Sequence, residues 1–188
     1  MKIQYTSTLI ALLFVASVSA QKLSRTEKKI VSTIEKNNSE AIDFLEKVVN
    51  INSGTLNAEG VKKVGMVFKD AFDNIGFETK WIEMPAEMNR AGHLFAETTG
   101  TKGKKLLLIG HLDTVFEPDS PFQKFTRDGD TAYGPGVSDM KAGDVSMIYV
   151  MKALDNIGVL KDLNLTLVFI GDEEKTGGPP SIVRKELI

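Results

Sequence analysis

A histidine and an aspartate, one residue apart, follow the apolar run Leu106-Leu107-Leu108-Ile109-Gly110. This pair, His111 and Asp113, is the first place where the chain holds residue types fit for chemistry. The chain has two histidines, His93 and His111, and no cysteine, so a metal site must draw on His, Asp and Glu. Two more acidic clusters stand in comparable positions. Asp139 lies in the turn-rich Gly134-Pro135-Gly136-Val137-Ser138-Asp139-Met140-Lys141, and Asp172-Glu173-Glu174 follows a second apolar run, 163–170, and Gly171. Taken singly, each has an ordinary explanation. A His-x-Asp pair is commonly a surface contact, Asp139 could cap a helix, and an acidic triplet suits a helix start, where it complements the dipole. Together they place one imidazole and several carboxylates at the ends of neighbouring elements. That much negative charge in one cleft is costly unless a divalent cation neutralises it.

The donor types suit zinc, with one imidazole, oxygen ligands and an open position. They also suit a two-metal centre, with ions ~3.5–4 Å apart bridged by a carboxylate. A carboxylate beside a ligating imidazole fixes its tautomer and raises its basicity, a role open to Asp113. A carboxylate near the ligands but not bound can act as general base toward water. Glu173 and Glu174 are adjacent, so the ligand and base roles could be divided between them.

Periodicity supplies the elements that must position these groups. Ser24 with Glu27 forms a capping box ahead of Ile30, Val31 and Ile34. A second helix is predicted from about Ser39, with Ile42, Leu45, Val48 and Val49 on one side, and Asn52-Ser53-Gly54 ends it. A third spans 57–75 with the stripe Val61, Val64, Phe68, Phe72 and Ile75, closed by Gly76. Residues 78–84 and 94–98 read as strands. The unbroken run 106–109 reads as a strand buried on both faces, and 125–133 as a small hairpin around Asp128-Gly129-Asp130. A helix over 142–157 carries Met147, Val150, Met151 and Leu154 on one stripe, and 163–170 is a second apolar strand. Strand, helix and strand in succession predict an α/β domain: a mixed sheet, parallel at its centre, flanked by helices. In such sheets ligands bind beyond the carboxyl ends of the strands. Parallel pairing would therefore bring 111–113 and 172–174 to one rim, and Gly134 and Gly136 would let the backbone carry Asp139 beside them.

The chain has 188 residues. Lys2, the apolar stretch 9–16 and Val18-Ser19-Ala20 form the pattern of a secretory signal peptide over 1–20. That apolar stretch is shorter than the ~20 residues a membrane span needs, so cleavage is preferred over an uncleaved anchor. The expected location is secreted or periplasmic, with no membrane association after cleavage. The rest, 21–188, is one domain's worth of chain. A formal net charge of −2 argues against a polyanion, so no nucleic-acid partner is expected.

The stretches "INSGTLNAEGVKKVG", "RAGHLFAE", "LLLIGHLDTVFEPDSPFQKF", "AYGPGVSDMKAG" and "VFIGDEE" together resemble the zinc-dependent peptidases of the M20 class, within it the glutamate carboxypeptidase-like group. The resemblance covers nearly all of 21–188 and implies the N-terminal part of a zinc-exopeptidase-like catalytic domain. It implies that His111 ligates one zinc, that Asp113 orients His111 and counts as catalytic, that Asp139 bridges two zincs, that Glu174 binds the other, and that Glu173 is the catalytic general base. It implies hydrolysis of an amide bond, with release of a C-terminal, glutamate-like amino acid from a small peptide or an N-acyl amino acid. His93 falls where the family has no zinc ligand, so a structural histidine is expected there. The family's two zincs need two further ligands, an acidic residue and a late His. After Glu174 the sequence offers Glu186 and no histidine. The three ligands in hand would make one zinc site. The family's lid domain, which contributes dimerisation and substrate-carboxylate contacts, has no counterpart in the sequence, and Lys175 with Gly177-Gly178-Pro179-Pro180 stands where the family has a shorter polar turn. A related amidase of the aminoacylase or desuccinylase kind shares the same motifs, and a truncated, inactive metal-binding fragment is the non-enzymatic alternative. Strands supplied elsewhere in the family would leave an apolar sheet edge exposed.

Overall fold

The computed structural model describes residues 22–185. The expected signal peptide, 1–20, lies outside them, as does Glu186. The capping box forms as its residues dictate: the Ser24 N–H donates to Glu27 and the Glu27 N–H donates to Ser24 Oγ at 3.2 Å, starting helix α1 (Arg25–Lys36). Helix α2 (Asn38–Val49) follows after a single residue, and α3 (Ala58–Asp73) starts at Asn57, whose side chain accepts from the Gly60 N–H at 3.1 Å. Gly76 ends that region with a positive φ of 85°.

The strands are β1 (Glu78–Ile82), β2 (His93–Glu97), β3 (Lys102–His111), β4 (Thr126–Asp128), β5 (Thr131–Tyr133) and β6 (Leu163–Ile170), with helix α4 (Ala142–Asn156) ahead of β6 and the short α5 (Pro180–Val183) at the end. Strands β1, β2, β6 and β3 lie in that order in one mixed sheet. The β1–β2 and β2–β6 pairs are antiparallel and β3–β6 is parallel. Strands β4 and β5 form the separate hairpin expected near Gly129. Helices α3 and α4 pack on one face of the sheet, with α1 and α2 against α4. The core between these layers is built from Val61, Val64, Phe68 and Phe72 of α3, Val145 and Ile148 of α4, and Leu165, Leu167 and Phe169 of β6. Phe68 and Phe169 meet edge to face at 5.0 Å, a geometry that aromatic quadrupoles favour.

Two expectations need correction. The run 106–109 is not buried on both faces: Leu106, Leu107 and Ile109 are about half exposed, and only Leu108 packs toward the core. Among the described residues β3 is an outer strand of the sheet, as is β1, and the sheet face carrying Leu107, Phe95 and Val168 lines an open cavity rather than a helix layer. In α4, Met147, Met151 and Leu154 pack on the core as expected, but Val150 is exposed, and Val145 and Ile148 complete the buried face. No helix among the described residues is long and apolar enough to cross a membrane.

Candidate metal centre

The register of the parallel pair builds the site. His111 pairs with Ile170, and the Leu112 N–H donates to the Ile170 carbonyl at 2.7 Å, so both chains leave the sheet together at one end. His111 and Asp113 therefore emerge beside Asp172, Glu173 and Glu174. Asp139 arrives from the third side. Its turn begins with Gly136 at φ 78°, a conformation that favours glycine, and the Lys141 N–H donates to the Gly136 carbonyl at 2.7 Å.

The donor atoms of His111, Asp139 and Glu174 all lie within 4.8 Å of one another. His111 Nε2 is 3.0 Å from Asp139 Oδ1 and 4.0 Å from Glu173 Oε2. One imidazole nitrogen and two carboxylate oxygens, converging at a half-open cleft, fit a divalent cation. Glu173 stands beside this trio with its carboxylate toward His111, and more than half of that side chain is exposed.

Asp113 occupies a different place from the other acids. It is fully buried, and its carboxylate accepts from the Thr55 hydroxyl at 2.7 Å and from the N–H groups of Glu173 and Glu174, each at 3.0 Å. His111 Nδ1 is 3.1 Å from the Asp113 main-chain carbonyl and 3.5 Å from the carboxylate. The same residue thus fixes the imidazole and the backbone of the Glu-Glu pair. Burial alone would raise the Asp113 carboxyl, but the contacts with His111, Thr55 and the two N–H groups hold it below its usual value. Burial works against a charged His111, yet the side chains of Asp113 and Asp139 outweigh it and push the imidazole up to about 9. Burial raises Glu174; His111 opposes this and Asp139 adds to it.

Sequence reasoning missed four participants. Thr55 holds Asp113 from the loop after α2, which is tied to the site strand by Thr114 N–H to Ser53 O at 2.9 Å and Thr55 N–H to Thr114 O at 3.1 Å. Lys141, fully buried, donates to the carbonyls of Val48 at 2.9 Å and Ile51 at 3.1 Å, which anchors the Asp139 turn to the end of α2. Burial brings that ammonium down to about 7. Asp144, also fully buried, lies under Gly110, where a Cβ would come within 2.0 Å of its Oδ1. Arg184 pairs with Asp172, whose other oxygen accepts from the Gly177 N–H at 2.9 Å. Asp172 is thereby turned inward, away from the cleft. Asp144 and Arg184 sit in no pattern that separates them from ordinary helix or loop residues, whereas Thr55 and Lys141 lie inside stretches already singled out, with nothing in the sequence to mark their structural roles. His93 is structural: its Nδ1 accepts from the Gly171 N–H at 3.1 Å and Nε2 donates to the Val183 carbonyl at 2.7 Å.

Comparison with known proteins points the same way. Residues 107–187 match the profile of peptidase family M20/M25/M40. The chain is 35% identical over 150 residues to carboxypeptidase G2 of Pseudomonas sp. (strain RS-16), covering 77% of this chain and 35% of that protein. Human carnosine dipeptidase 1 superimposes with a TM-score of 0.71 at 20% identity, over 85% of this chain and 37% of its own. The M20 family metallo-carboxypeptidase of Sulfolobus solfataricus does so with a TM-score of 0.56 at 20% identity, over 69% and 30%. At these identities the two structures share the fold. The chain spans about a third of the length of each of these three proteins.

Proposed function

Since the chain belongs to peptidase family M20/M25/M40, we propose that it forms the zinc-binding side of a metallo-carboxypeptidase that removes a C-terminal, glutamate-like amino acid from small peptides or N-acyl amino acids. The observation that carries this reading is the convergence of His111, Asp139 and Glu174 within 4.8 Å, next to a carboxylate, Glu173, outside that trio. His111, Asp139 and Glu174 would hold the metal. Bound there, zinc would supply the Lewis acidity that polarises an amide carbonyl. Glu173 takes a proton from the attacking water and returns it to the leaving amine, a role open to it because its carboxylate stays accessible at the cleft. Asp113 contributes by holding the N–H groups of both glutamates and the His111 ring in one frame. The N-terminal pattern over 1–20 supports export to the periplasm or beyond.

The test is metal content together with hydrolysis. Purified protein loaded with zinc is analysed for bound metal and for glutamate released from an N-acyl glutamate. Glu173→Gln should keep its zinc and lose turnover by a factor of at least about 10². Asp139→Ala should lose zinc. Full activity in Glu173→Gln would remove the base from its role, and unchanged metal in Asp139→Ala would remove the ligand from its own.

A further inference from the structure

The parallel pair that builds the metal centre leaves one long edge without a partner. Strand β3 bonds to β6 on one side, and no strand among the described residues lies on its other side. From Leu106 to His111 it keeps an unbroken register with β6, so this part of the strand has no bulge to turn its edge away. Its outer row of N–H and C=O groups is a template for another strand. The side chains along it are apolar: Leu106, Leu107 and Ile109 are about half exposed, and residues 106–110 hold no charge. The other outer strand, β1, is guarded differently. Glu78 and Lys80 interrupt its open face, and charges of that sort discourage pairing.

Charge decides what fits this edge. Lys102, Lys104 and Lys105 precede the apolar run, and all three are exposed. Lys102 and Lys105 make only loose contacts, with Asp162 at 3.7 Å and Glu97 at 3.9 Å, exposed pairs of little strength. The other end of the strand opens on the acidic rim around His111. There the Asp139 and Glu173 side chains are 75% and 55% exposed and form no ion pair with a lysine or arginine among the described residues. The edge is positive at its start, apolar in its middle and negative at its end. A second copy laid antiparallel across a two-fold axis at Leu108 answers all three parts. Leu107 of each copy falls opposite Ile109 of the other, and Leu106 opposite Gly110. Lys104 and Lys105 of each copy come alongside the end of the other's strand, next to its acidic rim. Stacked parallel and in register, the same strands would set lysine against lysine, an arrangement that like charge disfavours.

We propose that this chain associates with a second copy of itself through β3, as a two-fold dimer that joins two four-stranded sheets into one of eight strands. The contact is isologous, so each copy supplies both the lysines and the acidic rim. It stands apart from the hydrolase reading above and needs no metal.

The experiment uses the full chain, free of metal, in two measurements. Sedimentation equilibrium of the parent should show monomer passing to dimer with concentration. Lys104→Glu combined with Lys105→Glu sets like charge against the acidic rim and should raise the dissociation constant about tenfold or more, with the melting temperature at the parent's value. The second measurement reads the register. The chain has no cysteine, so an introduced thiol can bond only to another introduced thiol. Leu107→Cys and Ile109→Cys are made separately, then oxidised alone and mixed. Directly opposed residues of an antiparallel pair have Cβ atoms ~4.5–5.5 Å apart and diagonal ones ~7–8 Å, the latter beyond the reach of a disulfide. The mixture should therefore cross-link about tenfold faster than either variant alone. A parent that sediments as a monomer at every concentration overturns the proposal. A dimer indifferent to the lysine reversals does so too, as does equal cross-linking in all three samples. If a cysteine variant fails to fold, the lysine reversals, which lie on the surface, decide by themselves.

Discussion

His111 shows how a single side chain would join stability to the proposed metal binding. Without metal its imidazole is held up to about 9, against an ordinary value of 6.5, with Asp113 and Asp139 overcoming the effect of burial. A raised folded-state value means that the charged ring contributes stability fully below about 6.5 and loses it as pH rises through about 9. A ligating imidazole must give up this proton, so zinc affinity should rise about tenfold per pH unit across that window and level off above it. Zinc titrations from pH 6.5 to 9.5 check this, and a flat profile would show that His111 is not a ligand. Asp113 invites a second test. Asp113→Asn keeps the shape but sets an amide N–H₂ against N–H donors from Glu173 or Glu174, or against the Thr55 hydroxyl. Zinc affinity should fall by about 10–100-fold, with the helical circular dichroism retained. Parent affinity in that variant would mean that the frame around Asp113 does not matter.

At the scale of elements, the site depends on where chain segments leave the sheet and how one turn is anchored. Parallel pairing of β3 with β6 delivers His111 and the Glu-Glu pair to the same end. The Asp139 turn has no strand to hold it, and Lys141 provides the anchor by reaching the last carbonyls around α2. Lys141→Met preserves length and removes the donors, leaving two inward carbonyls short of a partner. The expected cost is about 1–3 kcal/mol in chemical denaturation, together with weaker zinc binding, because the Asp139 turn is freed. A variant as stable as the parent, with the same zinc affinity, would show that the turn holds itself. In the core, Phe169→Ala removes a ring packed edge to face against both Phe68 and Phe72, and should cost about 3–5 kcal/mol by the same measurement.

For the whole molecule, the open face and edge of the sheet matter most. Leu106, Leu107 and Ile109 are about half exposed along β3, next to Lys102, Lys104 and Lys105. Lysines of this kind discourage edge-to-edge pairing, but an exposed apolar edge promotes it. Leu107→Lys should lower concentration-dependent self-association in sedimentation experiments while changing stability by less than about 0.5 kcal/mol; unchanged association would place the contact elsewhere. Much of this molecule was legible in the residues. The capping box at Ser24, the α3 stripe and the hairpin at Gly129 follow from local period and turn chemistry, which act over a few residues, and the parallel β3–β6 pair from the handedness of a strand–helix–strand succession. His111, Asp139 and the Glu173-Glu174 pair also stood out by type and flanking glycines, while the choice of Glu174 as the donor came from the family resemblance. Residues far apart in the chain carry no such local mark, so folding alone decided the rest. It turned Asp172 inward to Arg184 while Glu173 stayed at the cleft, gave Asp113 its three donors from two loops, and buried Lys141 beneath the Asp139 turn. Each of these depends on which segments the sheet register and helix packing bring together, and that is a property of the assembled layers rather than of any stretch within them.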